Sequence, residues 1–501
     1  MAGSTSTLTM ENEMDVERYR ESDLENQEIS AAPTMANEKG FYTDGMESKG
    51  SVQPGILELA RTSTTTTIDP GPPPDGGLKA WTQALMAHLV IFNTWGYINS
   101  FGAFQTYYSQ TLDQPPSTIS WVGSIQIFLL FFIGTFSGQL LDAGYFWYTF
   151  GVGSVLQLVG VFTASVSGTY WSLLLSQGVC TGIGSGLLFC PAVALASTYF
   201  LRNRSVAIGI AASGSATGGV VFPIIVRQLL PTAGVGWAIR TLGFIMVFNT
   251  IIVAFFMRPR LPPRPFGPII DWDAFRNPSY TLYAIGMFFS FWGIYFAFYY
   301  IGSFARSELG FAYQDSIDLL IIMNGIGLPG RIIPNFVADR WIGPLNMLLP
   351  FTGIVSVMLF GWPGVHSKAG VYAWAAMYGT FAAGIQSLFP ATLSSLSSDP
   401  KKRGVHMGMV FTVVSFACLS GPPLGGALLT SDDGGYLYGQ IWAALSILLA
   451  SCFLVAARIS KTGWKLRKIW FGSQLHKSRP SRKGLTKHNH NNNLDIPISK
   501  A

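Results

Sequence analysis

Apolar runs of about twenty residues, separated by short polar stretches, fill the chain from residue 81 to residue 459. A bilayer core ~30 Å thick takes about 20 helical residues to cross. The pattern therefore predicts helices over 81–104, 118–141, 146–166, 171–196, 204–228 and 237–257, and a second set over 280–303, 315–338, 345–363, 370–393, 404–428 and 437–459. Between the sets, "RPRLPPRPFGPIIDWDAFRNPS" (Arg258–Ser279) is too polar and proline-rich to span, and Pro278 marks a break before the seventh helix. The expected fold class is an all-α membrane protein with twelve transmembrane helices. Its expected domains are a disordered tail over 1–78, a six-helix bundle over 79–257, a linker over 258–279, a second six-helix bundle over 280–459 and a basic tail over 460–501.

Composition sharpens this picture. Of 501 residues, 49% are hydrophobic and only 12% charged, against about 25% charged in an ordinary soluble domain. The charge sits mainly in the two tails. The amino-terminal stretch is acidic, has no apolar core of signal-peptide length, and cannot bury enough surface to fold alone. An even number of crossings puts both tails on one side. The short connections on that side carry Arg202, Arg204, Arg258, Arg260, Arg264, Arg276, Arg340, Lys401, Lys402 and Arg403, against Arg227, Arg240, Arg306 and Lys368 on or near the other. Ten against four predicts cytosolic tails, where the Asn203-Arg204-Ser205 sequon stays bare. The basic segment Arg458–Trp470 either enforces topology or grips anionic lipid head groups. The four cysteines all fall in spans; Cys180 and Cys190 share one helix ~15 Å apart, too far for a bridge.

The chain repeats once. In "YFLRNRSVAIG" (Tyr199–Gly209), Arg204 precedes Gly209 by five residues and Pro223 by nineteen; in "SDPKKRGVHMG" (Ser398–Gly408), Arg403 precedes Gly408 by five and Pro422 by nineteen. Asp142 and Asp339 end the second and eighth helices, 62 and 64 residues before those arginines. Six helices repeated once about a linker resembles the plan of the major facilitator superfamily, in which two halves rock about a midplane site. Asp142 and Asp339, with Arg204, Arg340 and Arg403, are candidate gating residues. A carboxylate there either marks the membrane boundary or faces the positive amino end of a helix in the other half, or a nearby arginine, a contact made in one conformation and broken in the other.

Candidate chemistry centres on "GLPGRIIPNFVADRWIGP" (Gly327–Pro344). Arg331 lies eight residues from Asp339, ~12 Å into the helix and too deep to snorkel easily. An arginine at mid-span costs about 2.5–3.5 kcal/mol on insertion scales. Either it binds an anionic or carbonyl-bearing solute, or it is a structural post, hydrogen-bonded to carbonyls freed by Pro329 and Pro334, with Gly330 the named acceptor, or to a polar neighbour. Polar groups on the first helix (Tyr97, Asn99, Gln105), with Asn324 and Gln386 on the eighth and tenth, are candidate cavity residues, because lipid penalises them. Tyr295 and Tyr299, one turn apart in the aromatic segment Met287–Gly302, can wall a pocket or simply pack. His88 is either a proton carrier or a histidine hydrogen-bonded between helices.

Three segments carry a closer resemblance. "PPDGGLKAW" (Pro73–Trp81), "YFLRNRSVAIGIAASGSATGG" (Tyr199–Gly219) and "GRIIPNFVADR" (Gly330–Arg340) resemble signature segments of the monocarboxylate porter family, with the flavour of its fungal branch. The resemblance runs from about Asp75 to Arg458. It implies that Arg331 takes the place of the arginine that binds the substrate carboxylate in animal proton-coupled porters. Those porters place an Asp one turn earlier, where this chain has Gly327, and a Lys in the first helix, where Tyr97–Gln105 has none. Lactate–proton symport by that scheme is therefore not expected. The expectation is a secondary transporter moving a carboxylate or carbonyl-rich metabolite by alternating access, without cofactor or metal and without nucleic acid as partner. It would act as a monomer in the bilayer of the plasma membrane. Efflux of a secondary metabolite or drug is the alternative within transport, and a non-transporting nutrient sensor the alternative outside it.

Overall fold

The structure, a computed structural model, describes residues 71–263, 270–397 and 403–463. Of the expected tails over 1–78 and 460–501, residues 1–70 and 464–501 lie outside the described residues, as do the connections holding Arg264, Lys401 and Lys402. Those described are helices and short connections. Helix α1 runs Gly77–Asn99 and continues as Phe101–Thr111. It is followed by α2 (Pro116–Asp142), α3 (Phe146–Ala164) and α4 (Tyr170–Ser197). A continuous stretch, Arg204–Phe256, comes next. Its 53 residues are about 80 Å of helix, more than twice a bilayer core. The chain resolves this at Gly234, where φ is +79° and ψ 168°, a conformation that favours glycine. The break divides α5 (204–233) from α6 (235–256). The second half comprises α7 (Pro278–Leu309), α8 (Tyr313–Ile342), α9 (Pro344–Gly364), α10 (Lys368–Leu396), α11 (Arg403–Ser431) and α12 (Leu437–Thr462).

Nine of the described helices, counting Arg204–Phe256 as one, are long and apolar enough to cross a membrane by length and composition. The others, α1 and α10, carry the polar positions that the fold turns inward. Gln83, Asn93, Thr94 and Asn99 of α1 are all buried. Thr94 bonds within α1, and the other three bond to neighbouring helices: Asn93 Nδ2 donates to the Met246 carbonyl at 3.1 Å, and Asn249 Nδ2 donates to Asn93 Oδ1 at 2.9 Å. In hydrocarbon, where apolar burial supplies no drive, such bonds and close packing tie helices together.

Several boundaries differ from expectation. The first helix does not end near 104: it breaks at Ser100, whose hydroxyl donates back to the Gly96 carbonyl at 2.7 Å, a bond that bends helices. The linker is not wholly irregular, since Trp272–Phe275 forms a single helical turn. No loop separates α5 from α6 beyond the Gly234 break. In α4, Leu174–Cys180 is a π-helical segment.

Two pairs of helices form the seams between the halves: α2 packs on α11, and α5 on α8. The face where Gly77 and Thr462 lie is called the tail end here, and the opposite face the far end. At the tail end, Val206 N–H donates to Asp339 Oδ2 at 3.2 Å, and the Thr135 hydroxyl to the Gly408 carbonyl at 2.9 Å. At the far end, Arg227 Nε pairs with Asp318 Oδ1 at 3.1 Å, Tyr313 OH donates to the Ala103 carbonyl at 3.0 Å, and Ser117 Oγ to the Pro423 carbonyl at 2.9 Å. Both ends of the central passage are thus bridged.

Candidate functional site

Between the seams, in the tail-end half, lies a small cavity. Its walls are aromatic: Trp95, Phe131 and Phe189 come from the first half of the chain and Phe291, Phe389 and Phe411 from the second. The rings touch across the gap. Phe131 meets Phe291 at 5.7 Å and Phe411 at 5.3 Å between centroids, mostly edge to face, the arrangement ring quadrupoles prefer. Periodicity could not single these rings out, because the lipid-facing surface is also rich in phenylalanine.

Polarity in this cavity comes chiefly from two side chains. Arg331 of α8 is 1% exposed and lines it beside Gln386 of α10. Arg331 Nη2 donates to Gln386 Oε1 at 3.0 Å. That bond fixes the amide's orientation and leaves Nε2 of Gln386 buried without a partner. The guanidinium makes no bond to the Gly330 carbonyl; its partner is a polar neighbour, the other form in which a structural post was expected. Among the described residues, Arg331 is the only Lys, Arg, Asp or Glu that is fully buried, and no carboxylate pairs with it. Gly327 lies one turn earlier on α8. A Cβ there would stand 3.0 Å from Arg331 Nη1, 3.0 Å from Ala383 Cβ and 3.2 Å from the Gly379 carbonyl. A side chain at 327 would need the guanidinium, Ala383 and the backbone of α10 to give by a few tenths of an ångström.

The structure places the other sequence candidates elsewhere. Tyr97, Asn99, Gln105, Tyr295, Tyr299 and Asn324 are all buried outside the cavity lining, along α1, α7 and α8 towards the far end. Several of their polar atoms have no partner: Tyr97 OH, Asn99 Oδ1, Gln105 Oε1, Tyr295 OH and Asn324 Oδ1. Tyr295 stacks on Trp95 at 6.4 Å with planes 16° apart, just behind the cavity wall. Tyr299 lies against Phe101, 4.9 Å between centroids. His88 is held on both ring nitrogens: Nδ1 lies 3.0 Å from the Ile210 carbonyl, and Nε2 3.0 Å from the Thr217 hydroxyl. The carbonyl can only accept, so Nδ1 carries a proton, and the ring ties α1 to α5.

The gating candidates lie at the tail end. Asp339, in a π-helical turn that ends α8, reaches the amino end of α5 through Val206. Arg340 shares that turn. Arg204 begins α5 and donates to Ser197 Oγ at 3.2 Å. Asp142 closes α2 near the amino end of α11: a Cβ on Gly404 would stand 3.5 Å from its Oδ2. Arg403 begins α11, and its side chain lies outside the described residues. The two carboxylates therefore sit symmetrically, each at the start of a helix in the opposite half. A helix amino end carries partial positive charge and unsatisfied N–H groups.

Two segments that carry the porter resemblance also meet. Asp75, at φ +56°, accepts from the N–H of Leu201 at 2.6 Å and of Arg202 at 2.8 Å. This ties the approach to α1 onto the α4–α5 turn.

A pseudo-repeated pair of six-helix bundles around a central cavity is the architecture of one large transporter group, and the sequence match decides the matter. The profile of the Major Facilitator Superfamily matches residues 86–422. The chain is a member of the major facilitator superfamily. It is 45% identical over 416 residues to an MFS-type transporter of Gibberella zeae, covering 83% of this chain and 94% of that one. It is 34% identical over 407 residues to the aspyridones efflux protein of Emericella nidulans, covering 79% and 82%. It is 34% identical over 411 residues to the fujikurins efflux protein of Gibberella fujikuroi, covering 79% and 86%. As a superfamily member the chain is a multi-pass membrane transporter.

Proposed function

We propose that this transporter exports an amphipathic organic metabolite, an aromatic or otherwise apolar body bearing one anionic or carbonyl oxygen group. The observation that carries the reading is the composition of the cavity: six aromatic rings around a single buried charge, Arg331, with the adjacent Gln386 amide. Aromatic walls hold flat apolar surface, and the guanidinium offers several donors to an oxygen pair. Nε2 of Gln386, already buried and unpartnered, adds a donor beside it. A small aliphatic acid such as lactate would leave most of that wall uncovered. Two relatives bear names as efflux proteins for particular metabolites, which favours export of a secondary metabolite over uptake of a nutrient.

In this reading the protein belongs to the monocarboxylate-porter-like branch and works as a monomer with both tails in the cytosol, the tail end facing inward. The plasma membrane is its site of action. Its two halves, about 79–257 and 280–459, rock about the cavity, with Asp142 and Asp339 holding the cytosolic side shut. Transport of labelled aromatic and aliphatic acids by the purified full-length chain in proteoliposomes tests the proposal. Aromatic acids are expected to move and to compete with one another, and lactate is expected to do neither. A panel in which lactate outcompetes the aromatic acids overturns it.

A further inference from the structure

Arg331 is held at its root as well as at its head. The head is the guanidinium, bonded to Gln386 Oε1. At the root, the Arg331 carbonyl accepts from Asn335 Nδ2 at 2.7 Å and from Ser387 Oγ at 3.2 Å. The other N–H of the same amide donates to Ser387 Oγ at 3.0 Å. Gln386 and Ser387 are consecutive on α10, so one short stretch of that helix grips the arginine twice. From the opposite half, Gly209 of α5 backs onto the root: a Cβ there would stand 3.2 Å from the Arg331 carbonyl and 3.4 Å from Asn335 Nδ2. Stability alone does not account for the amide. Asn335 is fully buried, and with both N–H groups engaged its Oδ1 has no partner among the described residues. A buried acceptor left unpaired is unfavourable, and a leucine of similar shape would avoid the penalty.

Resting on Arg331 as the anion anchor, we infer that Asn335 and Ser387 are positioning residues for solute charge. They fix the main chain beneath Arg331, so that its guanidinium meets the cavity in one orientation. They thereby set how strongly the transporter prefers an anionic solute to an uncharged one of the same shape. An arginine side chain is long and flexible, and a shift at its root carries the head out of line. Binding groups have to be held within about 0.5 Å of their working geometry, by neighbours that are themselves locked. Here the lock is the triangle of Asn335, Ser387 and the Arg331 carbonyl. The aromatic wall stands on other residues, so loosening the triangle acts on the charged end of a solute and spares its rings.

The test measures equilibrium binding of 2-naphthoate and 2-naphthamide to the purified full-length chain. The two probes share their rings and differ in charge. The wild type is expected to bind naphthoate about tenfold more tightly, the equivalent of about 1.4 kcal/mol. Asn335→Leu is expected to cut that preference to about twofold by weakening naphthoate, with naphthamide unchanged. Ser387→Ala, which removes one of the two side-chain bonds to the Arg331 carbonyl, is expected to cut it part of the way. Arg331→Gln is expected to abolish the preference. In that background Asn335→Leu is expected to change neither affinity, because a residue that acts through the arginine then has nothing to position. Thermal melting shows which variants are folded, and Ser387→Ala carries the test alone if Asn335→Leu is not. Equal loss of both probes in folded protein, a preference that survives the substitutions at 335 and 387, or a further loss in the Arg331→Gln background overturns the positioning role and leaves Arg331 as the anchor. A wild type without the preference, or a preference that survives Arg331→Gln, removes the anchor itself.

Discussion

The two halves of the central passage are built from the same helices and behave as opposites. Towards the tail end, α1, α8, α10 and α11 line a cavity, and the strongest polar group there, Arg331, has a partner in Gln386. Towards the far end the passage is packed shut, yet Tyr97 OH, Gln105 Oε1 and Asn324 Oδ1 are buried with nothing to bond. A buried polar atom left unpaired costs about 1–3 kcal/mol, so the closed far half holds latent hydrogen-bonding capacity that water or solute would satisfy. The comparison teaches that polar residues in a transporter are distributed for two arrangements, and one arrangement alone makes half of them look misplaced. On this view the far-half residues line the passage when it opens outward, and Arg331 faces it in both states.

The largest expected effect lies at the cavity. Arg331→Gln removes a charged donor whose hydrogen bonds contribute about 1.5–3 kcal/mol. Affinity for an aromatic anion should fall roughly 10- to 150-fold by equilibrium binding, using about 1.4 kcal/mol per tenfold. The same variant should melt at higher temperature than the wild type, because an unpaired buried charge has been removed. A variant that binds as tightly as the wild type would place the anchor elsewhere and dissolve the contrast between the halves.

Next in size is the far half. Asn324→Leu exchanges a stranded amide for an apolar side chain of similar shape. Its Nδ2 donates only within its own helix, to the Leu320 carbonyl at 3.0 Å, so no interhelical bond is lost. The closed arrangement should gain about 1–2 kcal/mol. Transport should slow several-fold, with the affinity measured from the tail end unchanged. The readout is alkylation of a cysteine introduced at Gln105, which should react more slowly when combined with Asn324→Leu. Faster alkylation there would show that the amide supports closure, contrary to the comparison. Asp339→Asn probes the opposite end. A carboxylate at a helix amino end contributes about 0.3–1 kcal/mol at exposed sites and up to ~2 kcal/mol when partly buried. Its loss should make a cysteine placed at Ile208, on the cavity wall behind it, react a few-fold faster.

How far the sequence foretold this arrangement depends on the kind of information involved. The spans were legible because lipid imposes about twenty apolar residues on any crossing helix. Arg331 was legible because a charge in such a run has few explanations. Its partner was not, since Gln386 lies 55 residues away on another helix and neither residue's spacing encodes the other. The aromatic wall was hidden for a different reason. Phe411 faces the cavity and Phe416, five residues on, faces outward, both from α11. In water that difference would show as a polar face, but in lipid both faces are apolar and the periodicity vanishes. The Ser100 break was also missed, because a serine that bends a helix and one that does not look alike until its hydroxyl finds a carbonyl.

The smallest effect expected belongs to the far-end tie between Arg227 and Asp318. Their side chains are 33% and 29% exposed, so water screens the pair, and exposed pairs of this kind contribute about 0.2–1 kcal/mol. The pair nevertheless joins α5 to α8 across the two halves, so its whole contribution falls on the closed state and none on the open one. Arg227→Ala should therefore raise the open population by roughly 1.5- to 5-fold, by the same conversion of free energy to population ratio. It would be seen as faster alkylation at position 105, and less so at high salt. Asp318→Ala should do the same, and the double variant should add little to either single one, since each already removes the pair. Additive effects would mean that the two residues act separately, and that the far half is held shut by packing alone.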